Sequence, residues 1–139
     1  MIGIIGAMDE EIELLLANME NKIEEIIANS RFIRGTLSGK EVVLLKSGIG
    51  KVNAAMGATI MMEKFAPTLI INTGSAGGFS EKLEVGDIII SSEVVHHDVD
   101  VTSFDYAYGQ VPGLPETFTA DQRLVDIAEA TVKEIGINY

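Results

Sequence analysis

Short apolar runs alternate with apolar residues at helical spacing along this chain. Residues 2–5 form an apolar run that ends at Gly6, and the acidic residues 9–11 follow. This order predicts a strand, a tight turn and the start of a helix. Residues 12, 15, 16 and 19 then recur at helical spacing, so we expect one amphipathic helix that continues into the twenties.

The middle of the chain predicts an antiparallel hairpin. Residues 31–37 and 41–46 are rich in strand-forming side chains and flank the turn Ser38-Gly39-Lys40. The pattern further predicts a helix at 52–65 ended by Pro67, buried strands at 68–73 and 85–92, a long loop at 102–119, a helix capped by Asp121 and stopped by Gly136, and the start of a strand at 137–139.

Strands alternating with helices are typical of an α/β fold with a mostly parallel sheet covered on both faces. The chain has 139 residues, of which 47% are hydrophobic and 22% charged, which predicts one folded domain over residues 1–139. Because the last residues resemble the start of a strand, we expect the sheet to be truncated.

The net charge and the composition disfavour several classes of binding partner and binding site. The formal net charge of −11 disfavours nucleic acid and anionic membrane surfaces. The chain has no cysteine, hence no disulfide and no thiolate metal site. No apolar run approaches the roughly 20 residues that span a bilayer. The start lacks a signal-peptide pattern, so we expect a cytoplasmic protein.

Glu11 is the acidic residue most suited to chemistry. It lies in the predicted first helical turn, near the carboxyl end of a strand, where ligands of α/β sheets bind. The alternative is that it only stabilises the positive end of the helix dipole. Asp9 and Glu10 are expected to be solvated, and the three acids together disfavour a phosphate at this turn.

Residues 74–78, Gly-Ser-Ala-Gly-Gly, follow a predicted buried strand. Small residues let a ligand approach the backbone N–H groups. The alternative is a sharp turn that requires glycine conformations, and the sequence leaves both open. Ser75 lacks the Gly-x-Ser-x-Gly context of an esterase nucleophile.

The remaining motifs do not match a cofactor-binding or metal-binding pattern. The glycines at 3 and 6 lack dinucleotide-binding spacing, and residues 47–51 lack the P-loop spacer. His96, Asp98 and Asp100 would share one face of a strand, whereas His97 would face away. We therefore expect no metal and no cofactor.

Five segments together resemble the 5'-methylthioadenosine/S-adenosylhomocysteine nucleosidases. They are GIIGAMDEE (3–11), KSGIGKVNAA (46–55), LIINTGSAGG (69–78), VGDIIIS (85–91) and HDVDVTSFDYAYGQVPG (97–113). The resemblance implies a nucleoside phosphorylase-like three-layer α/β sandwich, of which this chain is the amino-terminal part. It also implies hydrolysis of 5'-thio-substituted adenosines to adenine and a thioribose in methionine salvage. 5'-Deoxyadenosine, which carries no sulfur, is a further candidate substrate.

The resemblance assigns a role to several residues. Glu11 matches the carboxylate that orients and deprotonates the attacking water. Met8, Ile49 and the turn Ser75, Ala76 and Gly77 match the walls of the ribose and purine site.

The resemblance also implies a homodimer. Phe104 and Pro112 match positions that each subunit contributes to its partner's alkylthio pocket. Asp105 departs from the pattern, because the family usually has a small residue, most often glycine, at this position.

The family's purine-protonating aspartate and ribose-binding glutamate match no residue up to Tyr139, so this chain alone is expected to have little activity. Two alternatives remain. One is a phosphorolytic relative, disfavoured because the chain has only three arginines, and the other is a non-catalytic fragment that dimerises or binds nucleosides.

Overall fold

The computed structural model describes residues 1–139. The chain divides into two compact units, Met1–Gly77 and Gly78–Tyr139. The first unit contains a five-stranded sheet with one helix on each face, and the second contains a two-stranded sheet and a long helix.

The sheet of the first unit has the strand order β2-β3-β4-β1-β5. Its strands are β1 (Ile2–Gly6), β2 (Glu20–Ile27), β3 (Ser30–Leu37), β4 (Lys40–Lys46) and β5 (Leu69–Asn72), and its helices are α1 (Asp9–Asn18) and α2 (Lys51–Phe65). The central strand β1 pairs in parallel with both β4 and β5, whereas β2, β3 and β4 pair antiparallel. The expected α/β fold is confirmed, but the sheet is not mostly parallel, because two of its four strand pairings are antiparallel.

Alternating side chains of β4 supply both faces of the sheet. Val42 and Leu44 pack with Ile12 of α1, and Val43 and Leu45 pack with Met61 of α2. All six side chains are at most 2% exposed. Because consecutive residues of a strand point to opposite faces, one apolar run serves two cores. The arrangement of helix, sheet and helix gives the expected three layers.

The first helix is shorter than predicted. It ends at Asn18, and residues Glu20–Ile27 form β2, which pairs with β3. The prediction of a helix into the twenties is therefore wrong. Ile23, Ile26 and Ile27 fit helical spacing, but they are also β-branched, and pairing with β3 decides in favour of a strand.

The predicted hairpin of β3 and β4 is confirmed. Ser38 and Gly39 connect the strands with φ of 47° and 74°. Ala28 and Asn29 connect β2 and β3 in the same way, with φ of 47° and 64°. Positive φ at both central residues matches the right-handed twist of a hairpin. The turn between β2 and β3 lacks glycine, so its sequence does not predict a hairpin.

The second unit has little regular structure before its helix. It contains β6 (Glu93–Val94) paired with β7 (Phe118–Thr119), a short 3-10 helix (Thr102–Phe104) and α3 (Gln122–Ile135). Asp121 caps α3 by accepting a hydrogen bond from Arg123 N–H, and Gly136 ends it with φ of 71°, as predicted.

The strands predicted at 85–92 and 137–139 are not formed. A strand requires a neighbour that satisfies its backbone groups in register. The backbones of these two segments share only an isolated hydrogen bond, which Ile88 N–H donates to the carbonyl of Asn138. The apolar run at 85–92 therefore predicts a strand without supplying its partner.

None of the helices has both the length and the apolar character needed to cross a membrane.

Replacing Ile12 with Ala tests the core between α1 and the sheet. Ile12 is 1% exposed, so truncation should leave a cavity and lower the free energy of unfolding by about 2–5 kcal/mol. Leu14 lies on the same helix but is 75% exposed, so Leu14→Ala should change it by less than about 0.5 kcal/mol. Urea unfolding measures both, and equal losses would contradict this packing.

Candidate functional site

The Glu11 carboxylate closes the turn between β1 and α1. Its Oε2 accepts hydrogen bonds from the backbone N–H of Ala7 at 2.7 Å and of Met8 at 3.2 Å. Met8 is the N-cap residue of α1, but its side chain forms no capping hydrogen bond. Glu11 therefore satisfies N–H groups that a helix start otherwise leaves without partners.

The other oxygen of Glu11 reaches the end of β5. Oε1 accepts hydrogen bonds from the backbone N–H of Ser75 at 3.0 Å and from its hydroxyl at 3.1 Å. Ser75 lies next to Glu11 because the chain after β5 continues beside β1, where Thr73 N–H donates a hydrogen bond to the carbonyl of Ile5. One carboxylate thus joins two segments that are 64 residues apart.

These hydrogen bonds hold Glu11 in its charged form. The backbone N–H of Ala7 lowers its pKa most, followed by that of Ser75, while partial burial opposes the shift. The Ser75 hydroxyl and the Met8 N–H lower the pKa further. At neutral pH the side chain is a carboxylate, able to accept a proton from a bound water.

The geometry is compatible with both interpretations of Glu11. Its contacts with Ala7 and Met8 are those expected of a residue that stabilises a helix start. Its contacts with Ser75 lie outside the helix and are not needed for that purpose. The catalytic role stays a prediction.

An open cavity of about 630 Å³ lies beside this turn. Met8 and Ile49, both predicted to bind substrate, line it together. Its full lining consists of Ala7, Met8, Asp9, Glu10, Asn29, Lys46, Gly48, Ile49 and Asn53. Ile49 is 72% exposed, so its apolar surface is free for contact. The cavity lies at the carboxyl ends of β1 and β4, where α/β sheets bind ligands.

Two positively charged side chains near this cavity, Lys46 and Arg31, form ion pairs with carboxylates. Lys46 Nζ lies 2.7 Å from Asp9 Oδ2. Arg31 donates two hydrogen bonds to Glu24, at 2.7 and 2.8 Å, and its guanidinium lies 4.0 Å from Asp9. The carboxylates offset both positive charges, so the surroundings suit a neutral ligand better than a phosphate.

Sequence reasoning missed Lys46 and treated Asp9 as merely solvated. Asp9 is exposed, but its carboxylate forms an ion pair with Lys46 at the end of β4. The signal was available only through strand register, because Lys46 ends β4 directly opposite Gly6 at the end of β1. Asn29 and Asn53 also line the cavity without having been predicted.

The glycine-rich loop does not require glycine conformations. Neither Gly74, Gly77 nor Gly78 has a positive φ. The interpretation of this loop as a turn that depends on such conformations is therefore wrong. Ser75, Ala76 and Gly77 are exposed, and a Cβ added at Gly77 would meet no atom within 4 Å. Their role in binding substrate stays a prediction.

Phe104 and Pro112 lie in the second unit and are exposed. Phe104 ends the short 3-10 helix and is 75% exposed. Asp105 follows with φ of 62°, in the left-handed region that glycine adopts without a steric cost. This conformation explains why glycine is the most frequent residue expected there. The roles of Phe104 and Pro112 stay predictions.

The residues considered for a metal make other contacts. Asp100 accepts hydrogen bonds from the backbone and hydroxyl of Thr102, and the His96 ring lies edge-on to Phe118. No group of three or more His, Cys, Asp or Glu side chains in residues 1–139 is placed to hold a metal ion.

Replacing Glu11 with Gln should lower the free energy of unfolding by about 1–3 kcal/mol at pH 7, because donors that now meet a carboxylate would meet a neutral amide. The folded-state pKa of Glu11 lies below its ordinary value, so its charge stabilises the fold above that ordinary pKa. This contribution disappears as the pH falls through the folded-state pKa. Urea unfolding at pH 7 and in acid should show a difference that shrinks in acid.

The control for this experiment is Glu13→Gln on the same helix, because Glu13 is exposed. A loss in Glu13→Gln equal to that in Glu11→Gln would show that helix charge alone accounts for the effect.

Comparisons with known proteins agree on one family. The family model of the phosphorylase superfamily matches residues 1–139. Two 5'-methylthioadenosine/S-adenosylhomocysteine nucleosidases are each 61% identical to the chain. The enzyme from Anoxybacillus flavithermus matches over 134 residues, covering 96% of this chain and 58% of its own length. The one from Oceanobacillus iheyensis matches over 137 residues, covering 99% and 60%.

Solved structures give the same result. The nucleosidase from Neisseria meningitidis, in complex with methylthio-immucillin-A, has a TM-score of 0.95 at 46% identity, covering 99% of this chain and 60% of its own. The nucleosidase from Colwellia psychrerythraea, in complex with adenine, has a TM-score of 0.93 at 42% identity, covering 96% and 55%. The chain thus spans somewhat more than half the length of the proteins it matches.

Proposed function

The chain belongs to the phosphorylase superfamily, and from this premise we propose that its protein hydrolyses 5'-methylthioadenosine and S-adenosylhomocysteine. The products are adenine and the corresponding thioribose. The similarity to nucleosidases of this name, at 61% identity, supports the substrate class. The protein would then act in methionine salvage.

The observation that carries this proposal is the Glu11 carboxylate at the ends of β1 and β5. As the bond between the ribose and adenine breaks, its electrons move to the purine and positive charge develops on the sugar. A water attacks the anomeric carbon of the sugar, and Glu11 takes a proton from that water. The lowered pKa keeps Glu11 ionised and ready to accept it.

The purine must gain a proton as it leaves. By resemblance, the acid that supplies it and the group that binds the ribose hydroxyls lie in the carboxyl-terminal part of the relatives. We propose that the same part completes this site. The family model spans both units, which supports one nucleosidase domain over residues 1–139. A cytoplasmic location stays a prediction.

The cavity and the glycine-rich loop would bind the nucleoside. Met8 and Ile49 offer apolar surface to a thio-substituted ribose, and Ser75, Ala76 and Gly77 offer a close approach along the backbone. Hydrolysis is favoured over phosphorolysis because Lys46 and Arg31 are held by carboxylates. No observation favours a purely non-catalytic function.

Adenine release tests the activity. A chimera would join this chain to the carboxyl-terminal part of the Oceanobacillus iheyensis relative, which supplies the length that the chain does not cover. We expect it to release adenine from methylthioadenosine without added phosphate. Glu11→Gln should reduce kcat about 100-fold or more, because the water loses its base.

The control is Glu13→Gln, which should leave kcat unchanged. Product analysis separates the alternatives, since a phosphorolytic enzyme would require phosphate and yield a sugar phosphate. A folded chimera without turnover, or with turnover that Glu11→Gln leaves intact, would contradict the proposal. The 139-residue chain assayed alone should show little turnover.

We also propose a homodimer, in which Phe104 and Pro112 of each subunit serve the partner's alkylthio pocket. An exposed stripe on α2 supports self-association. It consists of Val52, Ala55, Met56, Thr59 and Met62, all exposed and uncharged. Four of these residues are placed symmetrically about position 57, so two antiparallel copies would bring residue 52 opposite 62 and residue 55 opposite 59. A two-fold interface requires such self-complementarity.

Replacing Met62 with Glu should abolish dimerisation, because each interface would then bury two carboxylates without partners. Light scattering of the 139-residue chain measures the mass. Leu14→Glu is the control, since Leu14 is an exposed apolar residue of α1 and should leave the dimer intact. A monomeric wild-type chain, or a Met62→Glu variant that remains dimeric, would contradict this interface.

A further inference from the structure

Gly74 lies against the Glu11 carboxylate. A Cβ added at Gly74 would lie 2.6 Å from Oε1, 2.7 Å from Cδ and 2.9 Å from Oε2 of Glu11. Cβ atoms in proteins essentially never lie within 3.0 Å of such an atom, so one of the two groups would have to move. The carboxylate therefore occupies the volume that any other residue at position 74 would fill.

The backbone at Gly74 does not itself demand glycine. Its φ lies outside the left-handed region that favours glycine. The three nearest atoms to the added Cβ all belong to Glu11. The closest obstacle to a side chain here is thus the end of another side chain, and it is the side chain that the proposed reaction requires.

Gly77 in the same loop provides a contrast. It also lacks a positive φ, and a Cβ added there would meet nothing within 4 Å. An added Cβ would therefore meet the Glu11 carboxylate at position 74 and open space at position 77.

We propose that Gly74 is a positioning residue for Glu11. By leaving its Cβ position empty, it lets the carboxylate lie at the end of β5 and accept both hydrogen bonds from Ser75. The catalytic consequence rests on the proposed function, whereas the placement of the carboxylate does not.

Gly74→Ala should displace the carboxylate and leave the fold intact, because the side-chain end of Glu11 can rotate whereas the strands cannot. The displaced Glu11 would lose the Ser75 N–H and hydroxyl, both of which lower its pKa. Its pKa should therefore rise. In the chimera, kcat should fall about 100-fold, the cost typical of a catalytic group misplaced by about 1 Å.

The experiment follows the Glu11 carboxyl by ¹³C NMR titration in the 139-residue chain. We expect its pKa to be higher in Gly74→Ala than in the wild type, and unchanged in Gly77→Ala. An unshifted pKa in Gly74→Ala, together with an unchanged amide resonance of Ser75, would overturn the positioning role. A raised pKa with undiminished adenine release would uphold the positioning role and contradict the proposed function of Glu11.

A second pair of variants covers the case in which Gly74→Ala unfolds the chain. In a Glu11→Ala background the added methyl group meets no carboxylate, so Gly74→Ala should then leave the unfolding midpoint nearly unchanged. This double-mutant cycle isolates the contact between the two positions. An equal loss of stability with and without Glu11 would overturn the proposal.

Discussion

The hydrogen bonding of one carboxylate organises the functional end of the sheet. Glu11 accepts N–H groups from the β1–α1 turn on one oxygen and the N–H and hydroxyl of Ser75 on the other. A carboxylate offers about four acceptor positions, and four donors meet it here. The start of the helix and the end of β5 are thereby tied to one negative charge.

That charge is placed by the sheet beneath it. β1 lies between β4 and β5 and runs parallel to both, so three strands end at the same edge. Apolar side chains on both faces of the sheet hold these strands in place. Backbone hydrogen bonds from Ser47 and Thr73 to carbonyls of β1 extend the pairing beyond the ends of β4 and β5. The cavity lined by Met8 and Ile49 opens at this edge. Packing thus sets the geometry in which Glu11 acts.

Local signals predicted much of this arrangement. The acidic first turn, the Ser38-Gly39 hairpin and the caps Asp121 and Gly136 all lie where their chemistry requires. Elements that depend on distant partners are harder to predict: the pattern indicates a helix that continues into the twenties, where β2 lies, and a strand at 85–92, which is not formed. The contact of Glu11 with Ser75 spans 64 residues and depends on strand register, which spacing along the chain does not reveal.

The central claim is that Glu11 is one ionised carboxylate shared by two segments of the chain. The most direct test is a ¹⁵N NMR titration that follows the backbone amides of Ala7, Met8 and Ser75 in the wild-type chain. The account predicts that all three shift with a common pKa below the ordinary value for a glutamate. Amides that titrate separately, or with an ordinary pKa, would contradict it.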